Sequence, residues 1–139
     1  MRKLSLVGVL AAALITSPVQ AGDVAEAGYK EAMEATLAGM QAIGKTMREN
    51  LADLSGAVAG AKEIDAALAS IDSFWVARKA QDAVDMNAKS RAAAMAVARS
   101  AGANDAVATR EVVKALQGTC KACHDAHREQ LPDKTYRIK

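Results

Sequence analysis

Two thiols and an imidazole fall within one five-residue stretch, at Cys120, Cys123 and His124. They account for both cysteines of the chain and one of its two histidines. This spacing is the attachment pattern of c-type haem. Each thiol can add across one vinyl group of the porphyrin to form a thioether. The adjacent His is then carried beneath the ring, where its imidazole can bind the iron. The same residues admit two other readings. In an oxidising compartment the thiols could pair as a disulfide. A zinc site would have to draw all its ligands from residues 120–127, tighter than the usual ligand pairs separated by a longer loop. The His directly after the second thiol favours haem.

Three such residues need a scaffold, and 139 residues suit one domain. The first stretch reads as a secretory leader. Arg2 and Lys3 begin it, Leu4 to Ile15 carries no charge, Pro18 breaks the run, and Val19-Gln20-Ala21 is a small-residue cleavage site. We therefore expect a signal peptide at 1–21 and a single domain at 22–139. Left uncleaved, the same stretch would tether the chain to a membrane. Once it is cleaved, no stable membrane insertion is expected. Losing Arg2 and Lys3 leaves the 16 acidic side chains balanced by as many basic ones, so the basic precursor gives no reason to expect nucleic-acid binding. Export agrees with the motif, because bacterial haem attachment takes place outside the inner membrane. The expected location is the periplasm.

The remaining residues read as helices. Alanine is abundant, Pro132 is the one proline after the leader, and aromatics make up 3% of the chain. Met33, Leu37, Met40, Gly44, Met47, Leu51 and Leu54 recur at intervals of three and four, which predicts a long helix over 23–54 with that seam turned to the core. Asp23 and Glu26 suit its start, and Ser55-Gly56 its stop. Ala61, Ile64, Leu68, Ile71 and Trp75 predict a second helix over about 58–71. A third, Ala-rich helix spans about 76–100 with an ambiguous seam. Asn104 is expected to cap a fourth, whose stripe is Thr109, Val113, Leu116, Cys120, Cys123 and His127. Leu131-Pro132 should end it and leave an irregular tail. The expected fold class is all-α, an antiparallel four-helix bundle with covalently bound haem, an architecture that commonly houses cofactors between its helices. So little aromatic bulk leaves room for a porphyrin to fill the core.

A C-terminal motif in an exported all-helical chain, continuing as His124-Asp125-Ala126-His127-Arg128, resembles the class II cytochromes c, the cytochrome c′ family. Met40-Gln41-Ala42-Ile43-Gly44-Lys45-Thr46-Met47 is similar to that family's first-helix segment, in which a Met, Leu or Phe faces the distal side of the haem. The resemblance implies one haem c with its iron on Cys120 and Cys123, His124 as proximal ligand, Met40 at the distal side, Arg128 beside the proximal pocket, and pairing as a homodimer. There are two departures. The family's Arg-Gln before the distal residue is replaced by Thr36 and Leu37, and His127 stands where an aromatic commonly precedes the Arg.

Each of these residues also has a plainer reading. Met40 could be core filler, since Met33 and Met47 share its stripe. Arg128, one turn after His124, could be a solvated surface side chain or could meet a haem propionate. His127 cannot reach the far side of a ring held by its own helix, and reads as packing near the haem edge. Phe74 and Trp75 read as core or haem-edge packing. No carboxylate pair, nucleophile with base, or phosphate loop suggests an enzyme. Two functions follow. With Met40 on the iron, the haem is six-coordinate, low-spin and of raised potential, suited to one-electron exchange with redox partner proteins. Without it, a five-coordinate iron behind apolar residues suits a small diatomic gas, nitric oxide or carbon monoxide, as the family resemblance implies.

Overall fold

The structure is a computed structural model that describes residues 21–139, with side chains from Glu26 onward. The expected leader, apart from Ala21 itself, lies outside the described residues. Four long helices follow one another: α1 Ala21–Glu49, α2 Ser55–Ser70, α4 Gln81–Gly102 and α5 Ala106–His127, with a six-residue helix α3 Asp72–Ala77 between α2 and α4. Successive long helices run antiparallel, and the expected all-α four-helix bundle is the fold. None of the described helices is long and apolar enough to cross a membrane.

The first helix is shorter than expected. It ends at Glu49, and Asn50 to Leu54 form a turn. Leu54 is buried there, while Leu51 is 45% exposed, so neither extends a seam on α1. Ser55-Gly56 begins α2 instead of stopping α1. The Asp53 carboxylate accepts the Ser55 N–H at 2.9 Å, and Gly56 lies where a Cβ would strike the Thr46 hydroxyl.

The buried stripe of α1 is also one residue out of step with the expected seam. Ala32, Thr36 and Ile43 are buried, with Gly39 between them. Gly39 meets Gly60 of α2 so closely that a Cβ on either would lie 2.5–2.6 Å from the other's carbonyl oxygen. Small residues let the backbones touch. The larger Met33, Met40 and Met47 pack against the edge of the core, and Leu37 is 58% exposed.

Asn104 does not cap α5. Its backbone is left-handed at φ 54, and its side chain ties the two loops at this end together. Oδ1 accepts the Leu54 N–H at 3.2 Å, and Nδ2 donates to the Ala52 carbonyl at 3.1 Å. Asp105 is the cap, accepting from the N–H groups of Val107 and Ala108. In α4 the buried face is Ala83, Asn87, Ser90, Ala94, Val97, Ala98 and Ala101, which settles its ambiguous seam.

Between α2 and α4 the chain breaks at Ile71. Arg91 of α4 pairs with Asp65 and Asp72, each at 2.9 Å. Asn87 donates to the Leu68 carbonyl at 2.8 Å and to Asp72 at 2.6 Å. This network holds α3 across the bundle and turns Phe74 and Trp75 inward. The tail is not irregular. Arg128–Gln130 (β1) and Tyr136–Ile138 (β2) form an antiparallel hairpin, with Arg128 opposite Ile138. The Lys139 N–H reaches the His127 carbonyl at 2.9 Å and fastens the hairpin to the end of α5.

Candidate haem site

The core face of α5 is set by Thr109 and Leu116, both fully buried. Cys120, Cys123 and His127 continue that face at intervals of four, three and four residues. Both thiols are free and half-buried, as is His124. Burial pushes both thiols above the ordinary range, and for Cys123 the neighbouring Cys120 and the Asp82 charge add to it. His124 is held below the usual imidazole value, first by burial and then by the nearby Arg128 charge. A neutral imidazole keeps the lone pair that a metal needs. Among the described residues no three His, Cys, Asp or Glu side chains gather as a metal-binding group.

Arg128 is not one helical turn beyond His124 on the same helix. The helix ends at His127, and Arg128 has extended dihedrals, φ −122 and ψ 136. Its guanidinium lies 4.1 Å from the Tyr136 ring centroid, so its side chain stacks on the hairpin. It remains close enough for its charge to act on His124.

His127 packs its ring 5.2 Å from Trp75, with 14% of its side chain exposed. Its Nε2 lies 3.0 Å from an Asp82 carboxylate oxygen, but off the axis a hydrogen bond requires, and it has no other partner. Trp75 is 1% exposed, and its Nε1 likewise has no partner. Tyr29 and Phe74 complete the cluster, the first 4.8 Å from Phe74 and 5.4 Å from Trp75. The Tyr29 hydroxyl is pushed up to about 12, chiefly by burial and next by Cys123. It is the site residue that sequence reasoning missed. The available signal was its position eleven residues before Met40, about three turns of helix and hence nearly the same face.

α1 packs against α2, α2 against α4, and α4 against α5, but α1 and α5 leave one another almost untouched along their backbones. The α1 flank carrying Tyr29, Met33, Met40 and Met47 lies on this open side. Because α1 and α5 run in opposite directions and Tyr29 faces Cys123, Met33 comes roughly level with Cys120, and Met40 about two turns deeper, near Val112 and Val113. Thr36 is buried with its hydroxyl donating to the Ala32 carbonyl at 2.8 Å, so it faces α2 and not this flank.

A flat apolar group with polar edges fits these residues. Two thiols and a half-buried imidazole lie on the core face of α5, apolar side chains on the flank of α1, and the buried Trp75 Nε1 lacks a partner. Fold and site together define a helical bundle that carries a covalent haem.

Comparison with known proteins agrees. The chain is 35% identical over 141 aligned positions to the cytochrome c′ of Rhodospirillum rubrum, covering 89% of this chain and 96% of that one. It belongs to the cytochrome c′ family and carries one covalently bound haem c with its iron. No family model and no solved structure matches it.

Proposed function

We propose that the protein is an exported one-electron carrier. Cys120 and Cys123 tether the haem, His124 is the proximal ligand, Met40 is the distal ligand, and 1–21 is the leader that directs the chain to the periplasm. The haem supplies an iron centre that cycles between two oxidation states. The apolar side chains around it would limit water, and a Met40 thioether together with the His124 imidazole would raise its potential. Arg128 sits at the mouth of the proximal side, where its charge adds to burial in holding the His124 imidazole below its usual value. The observation behind this reading is the half-buried methionine flank of α1 on the open side of the bundle; Met33 lies there level with Cys120 and Met40 about two turns deeper, so iron binding by Met40 requires α1 to slide along α5 when the haem is seated. Its partners on this reading are redox proteins.

A second reading has a five-coordinate iron that binds nitric oxide or carbon monoxide. It is favoured by the make-up of that flank, where Met33, Leu37, Met40 and Gly44 offer no ionisable group, a surface that suits neutral diatomic ligands. One measurement separates the two. The oxidised protein should show the weak far-red band of a methionine–iron bond, and Met40→Ala should abolish it. Met33→Ala should leave it unchanged. A high-spin spectrum in the unaltered protein would replace the first reading with the second.

A further inference from the structure

The chain has four aromatic residues of the Phe, Trp and Tyr types, and three of them are in ring contact at the end of the bundle that bears the thiols. Contact runs from His127, one turn beyond Cys123, to Trp75 at 5.2 Å, and from Trp75 to Tyr29 at 5.4 Å. Tyr29 then lines an apolar surface groove of roughly 800 Å³ between α1, α2 and α3, with Gly28, Ala32 and Phe74 among its neighbours. Packing alone does not call for this sequence of residues. Leu or Phe would fill the same volume, without leaving an indole N–H buried and unpartnered.

Trp and Tyr are the side chains that give up a single electron most readily, and rings in contact pass one far faster than rings across a gap. A buried indole with no acceptor for its proton stays protonated when oxidised, which makes it a strong oxidant of its neighbour. A tyrosine must release its proton with its electron, and Tyr29 borders the groove where water can take that proton. Its proton is also tightly held while the ring is intact, so the phenol is not lost to ionisation beforehand.

We propose that Trp75 and Tyr29 form a relay that carries oxidising equivalents from the haem to the α1–α2 groove after the haem has reacted with a hydroperoxide. In each pass, Tyr29 loses one electron by way of Trp75 and its phenolic proton to groove water. An enediol reductant such as ascorbate then restores both. Two passes reduce one hydroperoxide: its O–O bond breaks, two electrons and two protons are taken up, and one alcohol and one water leave. The relay goes beyond electron carriage. It requires the haem at Cys120 and Cys123 and rests on the second reading above, with Met40 off the iron, because a bound Met40 would fill the position that peroxide must reach.

The test uses the haem-loaded protein, hydrogen peroxide and a nitrone spin trap, with adducts located by peptide mass spectrometry. The unaltered protein should carry the adduct on Tyr29. Trp75→Phe should lower that yield severalfold and speed bleaching of the haem. Tyr29→Phe, at a partly exposed position where the fold tolerates the change, should move the adduct to Trp75 and also speed bleaching. Tyr136→Phe should change nothing. A Soret band unmoved by peroxide, Tyr29 labelling that survives Trp75→Phe, or adducts confined to Tyr136 would each overturn the relay. A far-red methionine–iron band in the unaltered protein would also overturn the relay; with that band absent, the adduct pattern tests the relay by itself.

Discussion

At the end where α1 turns into α2, Leu54, Ala57 and Ala61 are almost wholly buried, Gly39 and Gly60 bring two backbones into contact, and Asn104 ties the loops together. At the other end, two thiols and two imidazoles are half-buried, His127 Nε2 meets only the Asp82 carboxylate, and Trp75 Nε1 lacks a partner, in a bundle whose α1 and α5 scarcely touch. The same chain, with the same Ala-rich composition, closes one end backbone against backbone and leaves the other with half-buried thiols and an indole N–H without an acceptor. Close packing leaves few voids in a finished core, and buried polar atoms are normally satisfied. The contrast predicts that the closed end holds without haem and that the thiol-bearing end is stabilised by it.

The sharpest way to break this comparison is to prevent attachment. Cys120→Ser with Cys123→Ser should lower the melting temperature strongly. Amide exchange should accelerate in the last turns of α5 and in the Tyr29 region of α1, while residues around Leu54 and Ile64 stay protected. Equal loss of protection at both ends would remove the distinction. Next in size is the closed end itself. Gly60→Val drives a side chain into the Gly39 carbonyl and should cost about 1–3 kcal/mol, measured by urea unfolding, with or without haem. Asn104→Ala leaves the Leu54 N–H without its partner and places Ala in a left-handed backbone, and should cost about 1–2 kcal/mol by the same measurement.

Two pH effects are smaller and belong to the open end. The His124 value is depressed in the folded chain. As pH falls past about 6.5, the unfolded chain therefore takes up its proton first and the haem-free form loses stability. His124→Gln in the cysteine-free background should flatten that slope in urea unfolding. Tyr29 is raised instead, to about 12. The unfolded phenol ionises first, near 10, so stability should fall as pH rises from about 10 towards about 12, and Tyr29→Phe should remove that part of the fall.

Much of the haem end was legible in the sequence because its chemistry is local. Cys120, Cys123 and His124 sit on one helix, and their spacing alone places them on its core face. The closed end was harder to read. Large apolar residues draw attention in a periodicity count, so Met33, Leu37 and Met40 read as the seam. The real contact with α2 uses Ala32, Thr36, Gly39 and Ile43, whose merit is small size or exact fit against Gly60 and not hydrophobicity. Asn104 reads as a cap by type, but its role as a tie depends on Ala52 and Leu54, some fifty residues away. The hairpin was hidden because three-residue strands carry no usable alternation, and Arg128 was assigned to a helix that ends one residue before it. Tyr29 was missed because the spacing that puts it on the Met40 face does not show its contacts, which come from Phe74 and Trp75 on another helix.

In mechanical terms, the Gly39–Gly60 crossing is a fulcrum. With no side chain on either helix, the separation there is fixed by backbone against backbone, so any tilt of α1 would pivot about that point. Tyr29 lies ten residues along it, about 15 Å from the pivot, so a small rotation at the glycines becomes a large displacement beside the thiols. The width of the haem end is thus governed from a place that does not touch the haem, one residue away from Met40.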